Sequence, residues 1–431
     1  METVISPNTG LIIGQWYPDS PDQINKALEN LARASAAIAV SANRMVLLQS
    51  IAAELDRQRP NLAAIITAEV GKTPFEALDE IDYAISFLTH AAASIQPAEE
   101  ATSSSDRRLR IVPAGPALVI TPYNDPLAGI VRKIAPAIAA GCPVIVKPSA
   151  LGQLTAKALF SAISSVDTTG VARMVNTPDR DVVHQLIGDP RFRMISFTGS
   201  TATGRVIASI AGLKRLVLEL GGNNPFLVLE GADLDRAAAD AVARKIRAAG
   251  QACSAPNRIY VVSSLFLAFR DLFLDRLSAV TYGASDAGVS MGPVRSDRDI
   301  QRLSLLAAKA PRFGLKLGSS PFAFAPAVLE DDTPLRDAEA FGPLVSLCAI
   351  SDRQAALSLA QAEDQALVCY IYGDVSPAEL IPLRFGSLGI NSTKIQSAGV
   401  PTGGFGSAGI GREGGLWGFR EYLTTINEKW G

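Results

Sequence analysis

The sequence predicts an α/β protein with at least two lobes, and three observations lead to this fold class. First, the chain has 431 residues, more than the roughly 250 to 300 at which a single hydrophobic core stops growing. Second, hydrophobic residues make up 48% and charged residues 19%, a balance typical of compact globular chains. Third, short apolar runs alternate with helical patterns from Leu109 onwards, which indicates βαβ units.

The N-terminal part of the chain is predicted to be helical. Ser20 can accept a backbone N–H, Pro21 suits the first helical position and Gln23 can complete a capping box, so a helix is expected to begin there. Helical spacing continues with breaks to about Ser94. A polar patch, Glu99 to Asp106, follows, and we place a lobe boundary there.

Several later runs are apolar at nearly every position, which suits strands that are covered on both faces in a parallel sheet. A helix is predicted over Asp233–Ala249. The chain ends in a glycine-dense segment, Gly399 to Gly415, whose backbone can approach a neighbour closely. The predicted strands are Ala117–Thr121, Val144–Lys147, Met194–Phe197, Leu216–Leu220, Phe226–Leu229 and Arg258–Val262.

Composition and charge argue against several function classes. The formal net charge of -2 gives no electrostatic reason to expect a nucleic-acid partner. The N-terminus lacks the pattern of a secretory signal, and no segment reaches the roughly 18 uninterrupted apolar residues of a membrane span, so a soluble cytoplasmic protein is expected. Four scattered cysteines and two histidines predict neither a metal site nor a disulfide framework.

Two residues are the first candidates for chemistry. Cys253, in the segment GQAC, lies between the predicted helix and the strand that begins at Arg258, where a thiol can face a cleft. The alternative is a buried structural cysteine, the more frequent case for a free thiol. Glu219 ends an apolar strand in the segment LELGG. Burying an unpaired carboxylate there costs free energy, which favours a functional role for Glu219. The alternative is an exposed residue beyond the rim of the sheet.

Two further segments join a strand to a turn. The segment ITPYNDP holds Asn124 between two prolines, although an asparagine in a turn is usually just a turn residue. The segment FTGST passes through Gly199 into a helical pattern at Ser200, and the free N–H groups of a helix start bind phosphate. By contrast, Gly404 to Gly409 matches the spelling GxGxxG without a convincing preceding strand, so this match is interpreted as accidental.

In their order and spacing, these motifs resemble the aldehyde dehydrogenase superfamily from about Ile5 to Trp430. Within that range, Gly250–Arg258 and Arg132–Ser149 are similar to the succinate-semialdehyde dehydrogenase branch. Seven ordered matches are more specific than any single one. The matching segments are ITPYNDP, APAIAAGCPVIVKPS, FTGSTATG, LELGGNNP, GQACSAPNR, EAFGP and GVPTGGFGSAGIGREGG.

The resemblance implies the oxidation of an aldehyde to a carboxylic acid. Cys253 would attack the aldehyde carbon, and the Asn124 amide and the Cys253 backbone N–H would hold the oxyanion. Hydride transfer to NAD or NADP leaves a thioester, which water activated by Glu219 hydrolyses. A CoA-acylating relative is disfavoured by the presence of Glu219. A catalytically silent binding protein is disfavoured because all three residues are present.

The resemblance also implies how the cofactor is held. Lys147 would contact a ribose hydroxyl, Ser200 and the Gly199 turn the pyrophosphate, and Glu339 the nicotinamide ribose, with Phe341 packed beside it. The implied cofactor contacts are Thr121, Pro122, Lys147, Ser149, Gly199, Ser200, Gly221, Glu339 and Phe341.

The family fold implies three parts. These are a Rossmann-type cofactor-binding lobe of residues 1–96 and 115–221, an α/β catalytic lobe of residues 222–415, and a small β oligomerisation flap of residues 97–114 and 422–431. Because the flap pairs with a neighbouring subunit, a homodimer or homotetramer is implied. An exposed strand edge is expected near Arg107–Val112.

Four positions depart from the family pattern or bear on the substrate. Ala150 stands where NAD-preferring relatives often carry Glu, which removes one barrier to the 2′-phosphate of NADP. Asp125 and Thr402 replace residues that are often aromatic in the substrate tunnel, so a small polar aldehyde is expected, unless Asp125 points away and caps a helix. Lys394 is the basic candidate for a substrate carboxylate, and its alternative is a solvated side chain.

Overall fold

The computed structural model describes residues 1–38, 41–95, 99–101, 107–336 and 338–430. The helices are α1 (Pro21–Ala37), α2 (Ser41–Arg57), α3 (Arg59–Val70), α4 (Pro74–Ala93), α5 (Ala128–Ala140), α6 (Gln153–Val166), α7 (Arg180–Gly188), α8 (Thr201–Ile210), α9 (Leu234–Ile246), α10 (Ser263–Ser278), α11 (Asp297–Leu306), α12 (Arg353–Gln361), α13 (Pro377–Leu380) and α14 (Gly415–Glu421). Short 3-10 turns cover Ala150–Gly152, Arg247–Gly250, Ser285–Ala287 and Thr333–Leu335.

The strands are β1 (Glu2–Ile5), β2 (Ile12–Trp16), β3 (Glu99–Ala101), β4 (Arg107–Pro113), β5 (Ala117–Ile120), β6 (Val144–Lys147), β7 (Ala172–Met174), β8 (Met194–Thr198), β9 (Arg215–Glu219), β10 (Pro225–Val228), β11 (Arg258–Val262), β12 (Thr281–Gly283), β13 (Leu315–Leu317), β14 (Ala327–Leu329), β15 (Leu344–Ile350), β16 (Gln365–Ala366), β17 (Val368–Tyr372), β18 (Ser387–Ile390), β19 (Phe405–Gly406), β20 (Gly409–Ile410) and β21 (Leu423–Lys429). Each predicted strand is confirmed to within a residue or so at its ends, because its apolar run is buried on both faces of a sheet.

The first large sheet has the strand order β20-β9-β8-β5-β6-β7, and it is parallel except for β20. The chain runs outward from β5 through β6 to β7 and then returns to β8 on the other side of β5. This reversal makes the carboxyl ends of β5 and β8 a topological switch point, the place where open α/β sheets bind their ligands.

The second large sheet has the order β14-β15-β11-β10-β17-β18 and is parallel throughout. Its central strands β10 and β11 are buried at every position. Two separate sheets with their own cores agree with the α/β prediction of more than one lobe, and the last residue of β9 lies only a short loop before β10. Glu219 therefore stands between the two sheets.

Local sequence signals account for the predicted N-terminal helix. The Ser20 side chain accepts a hydrogen bond from the Gln23 N–H, the Gln23 side chain accepts one from the Ser20 N–H at 2.8 Å, and Pro21 is the first helical residue. The capping box is therefore confirmed, and helices α1 to α4 continue to Ala93 as expected.

Helix α5 is buried along its whole length, including two basic residues, Arg132 and Lys133. Its N-terminus is capped from another helix, because Glu80 of α4 accepts hydrogen bonds from the Leu127 N–H at 2.8 Å and the Ala128 N–H at 3.0 Å. Because a buried charge is costly without a partner, Arg132 and Lys133 are expected to pair with acidic side chains.

The predicted helix over Asp233–Ala249 is wrong at its end. Helix α9 stops at Ile246, and Ala248, Ala249 and Gly250 take positive φ values of 48°, 53° and 71°. Helical spacing does not reveal this reversal, because alanine is a good helix former and takes the left-handed region here under tertiary constraint.

The exposed edge expected near Arg107–Val112 is also wrong. Strand β4 is the centre of a three-stranded antiparallel sheet, with β21 on one side and β3 on the other. Residues 97–98, 102–106 and 431 of the predicted flap, and residues 102–106 of the predicted polar patch, lie outside the described residues. The exposed strand of this small sheet is β21, which carries mostly exposed side chains.

In the described residues, no helix is long and apolar enough to cross a membrane. The cytoplasmic location stays a prediction.

Candidate active site

The segment that carries Cys253 is a tight kink after α9. Gly250 has a φ of 71°, and a Cβ on it would lie 2.2 Å from the backbone oxygen of Gly342. Gln251 braces the kink, since its side chain donates to the Ala248 carbonyl at 2.9 Å and accepts from the Arg295 N–H at 3.0 Å. The kink ends α9 early and points the following residues into a cleft between the sheets.

Cys253 and Glu219 meet in that cleft. The thiol donates to Glu219 Oε1 at 2.9 Å. Burial, together with the carboxylate of Glu219, raises the pKa of the Cys253 thiol well above its ordinary value. The sulfur is therefore held as a protonated thiol with a base in direct contact, which is the arrangement of a nucleophile that is activated during the reaction. The alternative interpretations of a structural cysteine and an exposed rim carboxylate do not fit this contact.

Glu219 is anchored by a buried network of charges. Arg132 donates to Glu219 Oε2 at 2.9 Å, and its Nε lies 2.7 Å from Glu413 Oε2. Lys133 pairs with the other oxygen of Glu413 and donates to Ser196 Oγ at 3.2 Å. The network pairs both basic residues of α5, and it fixes the orientation of Glu219 toward Cys253.

Asn124 lies in the turn after β5 and lines the same cavity as Cys253 and Glu219. Among the described residues its side-chain amide has no hydrogen-bond partner, so its N–H groups are free to face a ligand. The turn is tied to the Cys253 segment through Tyr123, whose hydroxyl donates to Gln251 Oε1 at 3.2 Å. The Tyr123 ring also packs edge-on against Phe341, with the centroids 6.2 Å apart.

Three buried asparagines, which sequence reasoning did not identify, join the site loops. Asn224 donates to the carbonyl of Cys253 at 2.7 Å and to that of Ala255 at 2.9 Å. Asn257 bonds to Asn223 and accepts from the Ala340 N–H at 2.9 Å. The segments NNP and PNR therefore brace both the Cys253 segment and the loop that begins at Glu339. The sequence contains one signal that could have identified them, namely the two adjacent asparagines just before the apolar strand β10.

A cavity of about 380 Å³ opens at the carboxyl ends of β5 and β8, the switch point of the first sheet. Three polar atoms in this region are buried without a hydrogen-bond partner among the described residues, namely Thr121 Oγ1, Thr198 Oγ1 and Glu339 Oε1. Buried polar atoms are normally satisfied, so these atoms fit a bound polar molecule. Burial raises the pKa of Glu339 to about 8.

The residues predicted to hold the cofactor are partly brought together here. Six of them line this cavity: Pro122, Gly199, Ser200, Gly221, Glu339 and Phe341. Ser200 caps α8 by accepting from the Thr203 N–H at 3.3 Å, which confirms the strand, glycine turn and helix start. Arg302 holds the Glu339 loop by donating to the carbonyls of Ala340 and Phe341.

Lys147 and Ser149 lie at the neighbouring strand end, just outside this cavity lining. Lys147 ends β6 beside Ile120 of β5, and burial lowers the pKa of its ammonium group. Ser149 accepts from the Leu151 N–H at 3.2 Å and so caps a 3-10 turn. Their place beside the switch point is compatible with the outer part of a dinucleotide.

A second cavity of about 470 Å³ approaches Cys253 from the other side. Sequence reasoning named Lys394 as its basic residue, and Lys394 does line it, but so do four basic residues that were missed. Two features of the sequence could have pointed to three of them: an Arg-Lys pair inside an apolar helix, and two arginines one turn apart just before Cys253. The missed residues are Lys72, Arg132, Arg244 and Arg247.

The two predicted substrate-pocket residues have different outcomes. Asp125 lines both cavities, and its side chain accepts from Lys72 at 2.5 Å rather than capping a helix. Thr402 is buried and its backbone pairs with that of Glu413 at 2.7 Å and 2.8 Å, and its place in a substrate pocket stays a prediction. It is absent from the lining of both described cavities, because the glycine-dense segment folds back on itself there.

The glycine-dense segment does approach a neighbour closely. Strand β20 pairs with β9, and a Cβ on Gly409 would lie 2.1 Å from the carbonyl oxygen of Leu218. The segment from Gly404 to Gly409 contains the short strand β19 and the turn that leads into β20, and no helix begins there. This geometry agrees with an accidental GxGxxG match.

A model of the aldehyde dehydrogenase family matches residues 2–427, nearly the whole chain. The protein belongs to the aldehyde dehydrogenase family. This membership confirms the prediction of an NAD(P)-dependent enzyme that oxidises an aldehyde to a carboxylic acid. In the described residues, no group of three histidine, cysteine or acidic side chains could hold a metal ion.

Individual aldehyde dehydrogenases are similar to this chain over most of its length. A probable succinate-semialdehyde dehydrogenase [NADP(+)] of Sinorhizobium fredii is 35% identical over 390 residues, which cover 84% of this chain and 79% of that protein. A non-phosphorylating aspartate-semialdehyde dehydrogenase of Halomonas elongata is 36% identical over 393 residues, covering 86% and 80%. The crystal structure of a succinate-semialdehyde dehydrogenase from Burkholderia pseudomallei superposes with a TM-score of 0.92 at 30% identity, covering 99% of this chain and 93% of that one, which confirms the predicted fold.

Proposed function

We propose that this aldehyde dehydrogenase is of the hydrolytic type and oxidises a small aldehyde whose far end carries a carboxylate. The observation that carries the mechanism is the 2.9 Å contact between Cys253 Sγ and Glu219 Oε1, in a cavity shared with Asn124. Cys253 is the nucleophile, Glu219 the general base and Asn124 an oxyanion donor.

The first half-reaction begins with the thiol proton. Glu219 Oε1 is in position to take it as the sulfur of Cys253 forms a bond to the aldehyde carbon. The carbonyl electrons move to the oxygen, where the Asn124 amide and the Cys253 backbone N–H stabilise the negative charge. A bound NAD or NADP would supply the acceptor for the hydride of the substrate carbon, so that collapse of the oxyanion would leave a thioester on Cys253.

The second half-reaction is hydrolysis. Once the proton taken from Cys253 has been released to solvent, the Glu219 carboxylate takes a proton from water, whose oxygen attacks the thioester carbon. The carbon–sulfur bond then breaks, and the proton on Glu219 passes to the sulfur, which releases the acid and returns Cys253 to its thiol form. Arg132 holds Glu219 Oε2, so that Oε1 stays directed toward the reacting carbon. The buried network behind Arg132 keeps this orientation when the proton on Glu219 changes place.

The cofactor would bind across the switch point. Gly199 and Ser200 at the start of α8 would face its pyrophosphate, since N–H groups at a helix start favour anions. Glu339 would accept hydroxyl hydrogens of the ribose next to the nicotinamide, with Phe341 packed beside it, and Lys147 would contact the other ribose. Thr121, Pro122, Ser149 and Gly221 complete the contacts. Ala150 is exposed and uncharged, so both NAD and NADP are accommodated.

Basic side chains support a carboxylate-bearing substrate. Arg244 lies in the second cavity and bonds to Ser254 Oγ and, at 3.3 Å, to Tyr370 OH, so no carboxylate among the described residues neutralises it. Arg247 pairs with Asp79, and both side chains of this pair are 43% exposed. The relatives named above include enzymes for succinate semialdehyde and aspartate semialdehyde, both of which carry a carboxylate away from the aldehyde.

We expect Arg247→Gln to raise KM for succinate semialdehyde about 10- to 100-fold, the usual effect of losing one charge-assisted hydrogen bond. KM for butanal, a neutral aldehyde of equal length, should change little. Steady-state kinetics with both aldehydes measures the difference. Arg276→Gln is the matched control, because Arg276 forms a similarly exposed ion pair with Asp235 outside the cavity. An unchanged KM for succinate semialdehyde would count against the carboxylate assignment.

We also propose the three-part division predicted from the family, with residues 1–96 and 115–221 binding the cofactor, residues 222–415 catalytic, and residues 97–114 and 422–431 forming an oligomerisation flap. The flap proposal is supported by the three-stranded sheet, whose strand β21 is mostly exposed and carries Ile426. A sheet this small needs a surface to pack against.

A homodimer or homotetramer is therefore expected in solution. Light scattering after size-exclusion chromatography should give two or four times the chain mass, and Ile426→Lys, which places a charge on the exposed strand, should shift the protein toward smaller species. A wild-type mass equal to one chain would refute the flap proposal.

A further inference from the structure

The second cavity contains a cluster of three charges that the proposed mechanism does not use. Lys72 donates to Glu80 Oε2 at 2.6 Å and to Asp125 Oδ1 at 2.5 Å. Both oxygens of Glu80 are occupied by donors, because Oε1 also accepts the two backbone N–H groups at the start of α5. Burial raises the pKa of Glu80, whereas Lys72 and the two N–H groups favour its carboxylate form, and the cluster has one ammonium for two carboxyl groups.

The excess negative charge is presented to the cavity by Asp125. The side chain of Asp125 is 45% exposed, whereas those of Lys72 and Glu80 are 6% and 2% exposed. Burial opposes ionisation of Asp125, but the ammonium of Lys72 outweighs it and lowers the pKa of the carboxyl. Its Oδ2 atom has no hydrogen-bond partner among the described residues. Asp125 is therefore an ionised carboxylate with one oxygen free for a donor.

Arg247 lies on the same cavity wall and interacts electrostatically with Asp125. The lining of one cavity thus includes a carboxylate and a guanidinium that act on each other electrostatically, and Arg244 belongs to the same lining. A ligand that places an ammonium and a carboxylate on one carbon would satisfy both groups. Asp125 also directly follows Asn124 and lines both cavities together with Cys253, so a donor bound to it belongs to a ligand that also reaches the proposed nucleophile.

We propose that Asp125 binds the ammonium group of an α-amino acid whose side chain ends in the aldehyde, while Arg247 binds the α-carboxylate of the same molecule. This inference rests on the proposed function and narrows its substrate class. A semialdehyde that has only a methylene group in place of the amino-bearing carbon would bury the free oxygen of Asp125 against that methylene. The charged oxygen would then lose its hydration without gaining a hydrogen bond.

The test is a comparison of kcat/KM for 4-oxobutanoate and its 2-amino and 2-hydroxy derivatives, in the wild type, Asp125→Asn and Asp82→Asn. Asp82 is the control, since it is an exposed aspartate of α4 that pairs with Arg59 outside the cavity. We expect the wild type and Asp82→Asn to prefer the 2-amino compound about 10-fold or more over 4-oxobutanoate. Asp125→Asn should lose that preference, with the ratio of kcat/KM for the 2-amino compound to kcat/KM for 4-oxobutanoate falling about 10-fold or more relative to the wild type.

Each other outcome overturns the inference in a recognisable way. A wild-type preference for unsubstituted 4-oxobutanoate would refute ammonium binding, and a preference for the 2-hydroxy compound would assign a neutral donor instead. An equal loss on all three compounds in Asp125→Asn would show that Asp125 acts through the structure alone. Failure of the proposed function looks different, because no acidic aldehyde would then be oxidised by the wild type while neutral aldehydes are.

Discussion

Cys253→Ala is expected to abolish aldehyde oxidation, with kcat/KM reduced by a factor on the order of 10⁴ or more, because no other group in the cavity can form the covalent intermediate. Cofactor binding should stay nearly intact, because the proposed cofactor contacts lie on the strand ends and on the Glu339 loop. The measurement is the absorbance of the reduced cofactor with succinate semialdehyde, with NAD and with NADP, alongside cofactor titration by fluorescence.

The control for this variant is Cys348→Ala. Cys348 is also a partly buried free thiol, but it lies on β15 and contacts the carbonyl of Glu330. It should keep wild-type activity, so that a loss in Cys253→Ala cannot be ascribed to the removal of a thiol in general. Substantial dehydrogenase activity in Cys253→Ala would refute the assignment of the nucleophile.

Glu219→Gln is expected to separate the two half-reactions. Hydrolysis should slow by about 10²- to 10⁴-fold, because an amide cannot take a proton from water. The first half-reaction should persist, since the Glu219 charge helps to raise the pKa of Cys253 and its removal makes the thiolate easier to form directly. Stopped-flow absorbance should therefore show a burst of reduced cofactor of about one equivalent per active site, followed by slow turnover.

Added nucleophiles identify the step that limits this variant. Hydroxylamine attacks thioesters without a general base, so it should restore turnover in Glu219→Gln and leave Cys253→Ala inactive. If the steady-state rate of Glu219→Gln equals that of the wild type, another base performs the hydrolysis. Wild-type turnover that requires CoA would favour the acylating alternative, in which CoA takes the acyl group instead of water.

Much of the fold follows from local sequence. The buried strands were predictable because they are apolar at nearly every position, and α1 was predictable because Ser20, Pro21 and Gln23 suffice to start a helix. The end of α9 was not predictable, because Ala248 and Ala249 are compatible with a helix and are forced out of it by contacts with distant loops. The central place of β4 depends on β21, which is more than three hundred residues away in the chain.

For the candidate site, the three residues proposed to do the chemistry could be named from the sequence, and the residues that orient them could not. Cys253, Glu219 and Asn124 lie in motifs that are specific in order and spacing, and the structure places them around one cavity. The backbone bridge between Thr402 and Glu413 could not be predicted, because it depends on how the glycine-rich loop folds back. The bracing asparagines and the arginines of the second cavity have local signals that mark them as unusual, but these signals do not show which groups they contact.

The sequence by itself determined the fold class and the family, and it predicted the nucleophile, base and oxyanion donor, because these depend on local patterning and on motifs read along the chain. Only the tertiary structure decided which charges meet: that Arg132 fixes Glu219, that Lys72 joins Glu80 to Asp125, and that Arg244 and Arg247 face the same cavity. The physical reason is that an ion pair depends on a distance of a few ångströms between side chains. That distance is set by the packing of helices and sheets whose residues are far apart in the sequence.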